Sequence, residues 1–333
     1  MAATNSSVGT MIETHELTRH FKDVRAVDGI DLRVAEGELV ALLGPNGAGK
    51  STTLRMLTTL IPPTSGTARV AGFDVTRQQR QVRQHIGYIG QGNGAAHSQR
   101  GRDELISQGR AYGLTVRAAR ARAAELIDSL GLGEVADRTV STLSGGQRRR
   151  LDIAMGLIHA PRLLFLDEPS TGLDPQNRAN LQEHIVALRR EHGTTILLTT
   201  HYLDEADSLA ERVIVVDHGR IVADDTPDRL KAVHAGDRVV LTLATGADAD
   251  RAAALSARVP AATVTRGGRT LHIAVPGAPA LVPGLLADLR ADGVTVAAVE
   301  VSRPTLDDVF LNLTGRSLRE GAPVAADLDL VGA

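Results

Sequence analysis

Apolar residues in the first two thirds of the chain fall in short, nearly unbroken runs. Each run leads through a glycine turn into a segment whose apolar positions recur every three or four residues. The runs LVALLG (39–44), IGYIGQ (86–91), LLFLDE (163–168), TILLTTH (195–201) and RVIVVDHG (212–219) predict strands. Runs that lack polar alternation suit strands covered on both faces. Their alternation with amphipathic helices over about residues 12–235 predicts an α/β domain with a mostly parallel sheet. Between about residues 92 and 160 the strand signal stops and helical segments take over, for example VRAARARAAELIDSLG (116–131), capped by Gly131. That stretch is expected to be a helical insertion in the α/β domain.

Beyond residue 235 the pattern changes. DRVVLTLA, TVTRGGRTLHIAV, the helical ALVPGLLADLRADG and VTVAAVEV predict a small C-terminal α+β accessory domain over 236–316. Residues 1–11 read as a flexible N-terminus and 317–333 as a patternless tail. No repeat of 20 to 50 residues is present.

A length of 333 residues suits one large and one small unit. A net charge of -2 and a pI near 6.6 argue against a dedicated nucleic-acid surface. With no cysteine, thiolate metal sites, disulfide scaffolds and cysteine nucleophiles are excluded, and a cytosolic setting fits. The N-terminus has neither a basic segment nor an apolar core, so no secretory signal is expected, and no run of about 18 apolar residues predicts a membrane span. Only three of the 37 basic residues are lysines, Lys22, Lys50 and Lys231, so a retained lysine calls for a reason.

Lys50 has one. Gly44, Pro45, Asn46, Gly47, Ala48, Gly49, Lys50, Ser51 and Thr52 match G-x-x-x-x-G-K-[ST] between a strand and a helical run. Glycines let successive backbone N–H groups turn inward around phosphate oxygens, and the helix N-terminus adds its positive end. In such a loop Lys50 reaches the β and γ phosphates as a compact point charge, and Ser51 holds Mg²⁺. Ligands of parallel sheets gather at the carboxyl ends of the strands. Those ends carry Gln91, Asp167, Glu168 and His201. Asp167 is placed to hold the magnesium through water, and Glu168 to take a proton from an attacking water. Gln91 is a candidate to orient water or touch Mg²⁺, and His201 to contact the γ-phosphate. Singly, each has a bland reading as a solvated strand end or a core residue; the phosphate loop gives the set its meaning.

A second glycine loop, Leu143-Ser144-Gly145-Gly146-Gln147, opens another helix with Ser144 as its N-cap but carries no lysine. Arg148, Arg149 and Arg150 follow, near a helix end whose dipole disfavours cations, so an anion or acidic neighbour is expected there. Standing alone, the stretch reads equally well as a capped helix with a solvated basic face.

Taken in order, residues 44–52, Gln91, 143–147, 163–168, 170–174 (STGLD) and His201 resemble the full motif set of the ATP-binding cassette (ABC) ATPases, across roughly residues 12–235. The resemblance implies bound ATP and Mg²⁺. It also implies that the 143–147 loop closes over ATP held by a partner subunit, giving a head-to-tail homodimer with two shared sites. It further implies that Phe21, one of seven aromatic residues, stacks on adenine, and that Asp174 communicates between the two sites. The ending EVSRPTLDDVFLNLTG (300–315) is similar to that of the daunorubicin-resistance type of ABC ATPase, which implies drug export through a separate membrane-spanning permease and a peripheral position on the cytoplasmic side of the membrane. Physically the segment is a capped amphipathic helix. Export of lipid or polymer, or a soluble non-transport role, are the alternatives; nucleic acid is not expected as a partner. The stretch GNGAAHSQRGRDEL (92–105) departs from the family pattern and leaves partner and substrate open.

Overall fold

The computed structural model describes residues 9–315 except 93, 96, 97, 236, 261, 276 and 303. The expectations for residues 1–8 and for the tail from 317 lie outside the described residues. The chain divides into two compact units that meet between Asp224 and Asp225.

In the first unit the elements run β1 (Thr10–Phe21), β2 (Val24–Ala35), β3 (Leu39–Leu43), α1 (Lys50–Leu57), β4 (Ser65–Val70), β5 (Phe73–Asp74), α2 (Gln79–His85) and β6 (Ile86–Ile89). The helices α3 (Gly101–Ala111), α4 (Val116–Ser129) and α5 (Gly145–Leu157) follow. The chain then continues through β7 (Leu163–Asp167), α6 (Pro175–His192), β8 (Thr195–Thr200), α7 (Leu203–Leu209), β9 (Arg212–Asp217) and β10 (Arg220–Asp225). Six strands form a sheet in the order β10-β9-β3-β8-β7-β6, and the five from β9 to β6 pair in parallel. Every residue of β3, β7 and β8 is buried, as their unbroken apolar runs require.

A second sheet, β2-β1-β4-β5, is antiparallel. Its Ile12, Leu17, Ile30 and Leu32 share one core with Val40, Leu42, Phe165, Leu197 and Ile214 of the parallel sheet and with Leu54 and Met56 of α1. The core therefore clamps α1, and with it the 44–52 loop, between two sheets. The N-terminal expectation needs correcting here: β1 begins at Thr10, paired with Ala35, and Met11 is buried, so residues 10 and 11 belong to the fold.

The second unit comprises α8 (Pro227–His234), β11 (Asp237–Leu243), α9 (Gly246–Ser256), β12 (Thr263–Gly267), β13 (Thr270–Val275), α10 (Ala278–Ala291), β14 (Val296–Ser302) and α11 (Leu306–Thr314). Its antiparallel sheet, ordered β12-β13-β11-β14, buries Val239, Leu241 and Ile273 against Ala252 of α9 and Leu285 and Leu289 of α10. The division falls before α8, where residue 235 was expected. Leu230 of α8 is buried and Asn312 of α11 donates to the His234 carbonyl at 2.6 Å, so α8 is tied to the C-terminal helix.

Candidate functional site

The loop after β3 cannot carry side chains where it carries glycine. A Cβ at Gly44 would run into the Val216 carbonyl, and one at Gly49 into the Ala26 carbonyl; Gly47 and Gly49 sit at φ 81° and 103°. Lys50 starts α1 and folds back over the loop, donating to the carbonyls of Gly44 (2.7 Å) and Pro45 (3.0 Å), with its Nζ 3.6 Å from Glu168 Oε1. Burial pushes the Lys50 ammonium below its ordinary value, and Glu168 pulls it back.

The strand ends converge on this loop. Ser51 Oγ donates to Asp167 Oδ1 at 2.8 Å, Thr199 Oγ1 donates to the same oxygen at 2.7 Å, and Gln91 Nε2 donates to Ser51 Oγ at 3.2 Å. Asp167 is fully buried, yet among the described residues its Oδ2 has no hydrogen-bond partner. A buried carboxylate oxygen without a donor is costly and marks a place for a cation or an ordered water. Glu168 adopts a left-handed backbone, φ 48°, held by Thr199, whose carbonyl and hydroxyl both accept from the Glu168 N–H (3.2 and 3.0 Å). Its Oε2 lies 3.3 Å from His201 Nδ1 and accepts from Thr171 Oγ1 at 3.2 Å. The His201 imidazole holds the Glu168 carboxyl below its usual range; Lys50 and Thr171 help and burial opposes.

Phe21, at the end of β1, is 43% exposed and lines a 470 Å³ cavity together with Asn46 to Thr52, Gln91 and Glu168. It is an exposed wall of the site, not a core residue. Val24, Arg25, Ala26 and His218 also line this cavity, and Thr199 supports it from beneath; nothing in their local sequence pattern singles them out. A larger groove of 620 Å³ lies in the second unit beside Leu255, Val282 and Leu285, but it has no phosphate-binding loop.

No residue of the 143–147 loop lines the 470 Å³ cavity. Ser144 caps α5 in a reciprocal box: its Oγ accepts from Gln147 N (3.3 Å), and Gln147 Oε1 accepts from Ser144 N (3.0 Å). Gly145 and Gly146 form the first turn, and a Cβ at Gly146 would press into Asn177. Asp174 caps α6 through Asn177 N at 3.0 Å, and the Asn177 backbone and side chain hold its carboxyl below the usual range.

The negative partners expected for the three arginines are mainly backbone carbonyls. Arg148 donates to Val140 O (3.1 Å), and Arg150 to Leu130 and Gly131 O (3.2 and 3.3 Å), at the negative end of α4. Arg149 donates to Gly90, Asp167 and Pro169 O, with the charges of Asp152, Asp167 and Glu205 in range. Carbonyls leave no trace in a sequence, so these partners could not be read from it.

A phosphate loop at the start of a helix, with a serine and an aspartate meeting beside it and a carboxylate at the next position, defines a nucleoside-triphosphate-hydrolysing cassette. Comparison with known proteins agrees. The ABC transporter family matches residues 27–171, and the C-terminal domain family of DrrA1-3-like ATP-binding proteins matches residues 226–314. The daunorubicin resistance ATP-binding protein DrrA2 of Streptomyces coeruleorubidus is 45% identical over 92% of this chain and 96% of its own. The daunorubicin/doxorubicin resistance ATP-binding protein DrrA of Streptomyces peucetius is 44% identical over 96% and 98%. Among solved structures, the dimeric MJ0796, a bacterial ABC transporter cassette, superposes with a TM-score of 0.60 at 25% identity, covering 65% of this chain and 98% of that one. The chain belongs to the DrrA-like drug-resistance family of ABC transporter ATP-binding subunits and is an ABC-type ATPase.

Proposed function

We propose that this subunit hydrolyses ATP to drive export of a drug-like compound through a separate membrane-spanning permease, working as a head-to-tail homodimer on the cytoplasmic side of the membrane. The observation that carries the reading is the convergence of Lys50, Ser51, Gln91 and Glu168, with Asp167 bonded to Ser51, on one cavity that the 143–147 loop of the same chain does not line. A loop with a capped helix start and no lysine suits phosphates already neutralised by Lys50, and the second chain of a dimer supplies it. The names of the drug-resistance relatives support the substrate class. Among the described residues no helix is long and apolar enough to cross a membrane.

The residues present fit Mg²⁺. Ser51 Oγ, the Gln91 amide oxygen and Asp167 Oδ2, which has no hydrogen-bond partner among the described residues, are hard oxygen donors that would hold it. When bound, it neutralises charge on the phosphate oxygens. The chain itself positions and moves protons. Lys50 and the N–H groups of residues 46–52 bind the phosphates, Phe21 offers its ring to the base, and Gln91 orients water. Glu168, kept ionised by its neighbours, accepts the proton of the attacking water while His201 fixes its side chain.

Glu168→Gln keeps the shape and removes the base. Turnover should fall by about 10²- to 10⁴-fold while ATP affinity persists and ATP-dependent dimers accumulate in sedimentation. Near-normal turnover in that variant would remove Glu168 from the role.

A further inference from the structure

Two side chains on one face of α5, one helical turn apart, reach toward the site without touching any group that binds phosphate. Arg149 is 8% exposed. Its Nε donates to Pro169 O at 2.9 Å, its Nη1 to Gly90 O at 2.7 Å and its Nη2 to Asp167 O at 3.3 Å. Asp152 is 4% exposed, and its Oδ1 accepts from Gly94 N at 3.0 Å and Ala95 N at 3.1 Å.

The two sets of bonds frame both polar arms of the site. Gly90 immediately precedes Gln91, and Gly94 and Ala95 follow it, so the segment carrying Gln91 is gripped before and after that residue. The carbonyls of Asp167 and Pro169 belong to the residues on either side of Glu168, so the same guanidinium fixes the strained peptide that aims the proposed base. A planar guanidinium can serve three carbonyls in a fixed fork, whereas an ammonium on a flexible stem cannot hold the same three directions. A buried charge satisfied in this way adds little net stability compared with a packed apolar side chain, so its use here is better sought in geometry.

We propose that Arg149 and Asp152 are positioning residues for hydrolysis, holding Gln91 and Glu168 in a common register from one face of the helix that Ser144 caps. The proposal rests on the reading that Glu168 and Gln91 serve hydrolysis. It also means that a displacement of the start of α5 is passed directly to both residues of the same chain.

The test uses the full chain with Arg149→Lys, Asp152→Ala, Asp152→Asn and, as reference, Glu168→Gln. Steady-state ATPase rates, the Kd of a fluorescent trinitrophenyl-ATP and thermal unfolding are measured for each. Arg149→Lys and Asp152→Ala should lower kcat by about 10- to 100-fold, the usual cost of an ångström-scale misplacement, with nucleotide affinity within about threefold of wild type. Asp152→Asn keeps an oxygen acceptor for both amides and should recover most of the rate. Wild-type kcat in Arg149→Lys and Asp152→Ala overturns the proposal. So does a parallel loss of rate, affinity and melting temperature that Asp152→Asn does not repair, because that is the signature of a structural role alone. If Glu168→Gln is inactive and the two clamp variants are normal, only the clamp fails; if Glu168→Gln is itself active, the reading beneath it fails.

Discussion

Gly146 offers a test in which two local effects oppose each other. An alanine there would gain about 0.7 kcal/mol, since glycine is a poor helix former and this backbone is ordinary helix. Its Cβ, however, would lie 2.5 Å from Asn177 Cγ and 3.0 Å from Asn177 Cβ. Asn177 cannot swing away freely, because its Nδ2 donates to Asp174 Oδ2 at 2.5 Å and its own N–H is capped by Asp174 Oδ1 at 3.0 Å. Overpacking against a tethered side chain costs about 2 kcal/mol, so the clash outweighs the propensity by roughly 1.3 kcal/mol. For a unit of this size that is a fall of about 3 to 5 °C in melting temperature. Scanning calorimetry on Gly146→Ala, Asn177→Ala and the double variant reads it out. In the double variant the contacts with Asn177 Oδ1 and Cγ are gone and only the Cβ contact at 3.0 Å remains, so its loss should be smaller than the sum of the single losses by about 1 kcal/mol. A Gly146→Ala variant that melts at or above wild type, or a strictly additive double variant, would refute the steric account.

Glu205 is 1% exposed, bonds to Ser170, and has its carboxyl pushed up by burial from 4.5. A raised folded-state value means that its contribution is fully present below the unfolded value and is lost as pH rises through the folded one. Relative to wild type, Glu205→Gln should therefore gain melting temperature as pH rises above 4.5 and level off once pH passes the raised folded value; a difference that is flat throughout or shrinks with pH contradicts this. Thr305 caps α11 in a reciprocal box with Asp308. Thr305→Ala should cost about 1 kcal/mol in the second unit, measurable as an earlier calorimetric transition, whereas no shift would show that α11 is held by its buried Leu306, Val309 and Phe310 alone.

The parallel strands were legible because burial on both faces erases polar alternation, and Leu39–Leu43, Leu163–Asp167 and Thr195–Thr200 sit where their apolar runs place them. The antiparallel sheet was not delineated. β1 shifts register between Thr14 and Leu17, with Glu16 at φ 47°, and each slip moves the alternation to the other face. The unit boundary was misplaced for a related reason: α8 looks like a continuation of the cassette until its partner, about 80 residues further on, is seen. At the site, residue types and spacing were enough to collect Lys50, Ser51, Gln91, Asp167, Glu168 and His201. What they could not show was the support from Thr199 and Arg149, which works through single atoms and backbone carbonyls.

The run Arg148-Arg149-Arg150 carries a consequence for how this stretch of chain can vary. Successive residues of an α-helix project about 100° apart, and these three arginines grip three different parts of the fold: the turn at Val140, the strand ends around Glu168, and the end of α4. Losing or gaining one residue between Ser144 and Arg148 would leave three arginines in a row, yet each would face its neighbour's target. The segment can exchange side chains one at a time, but its length is locked.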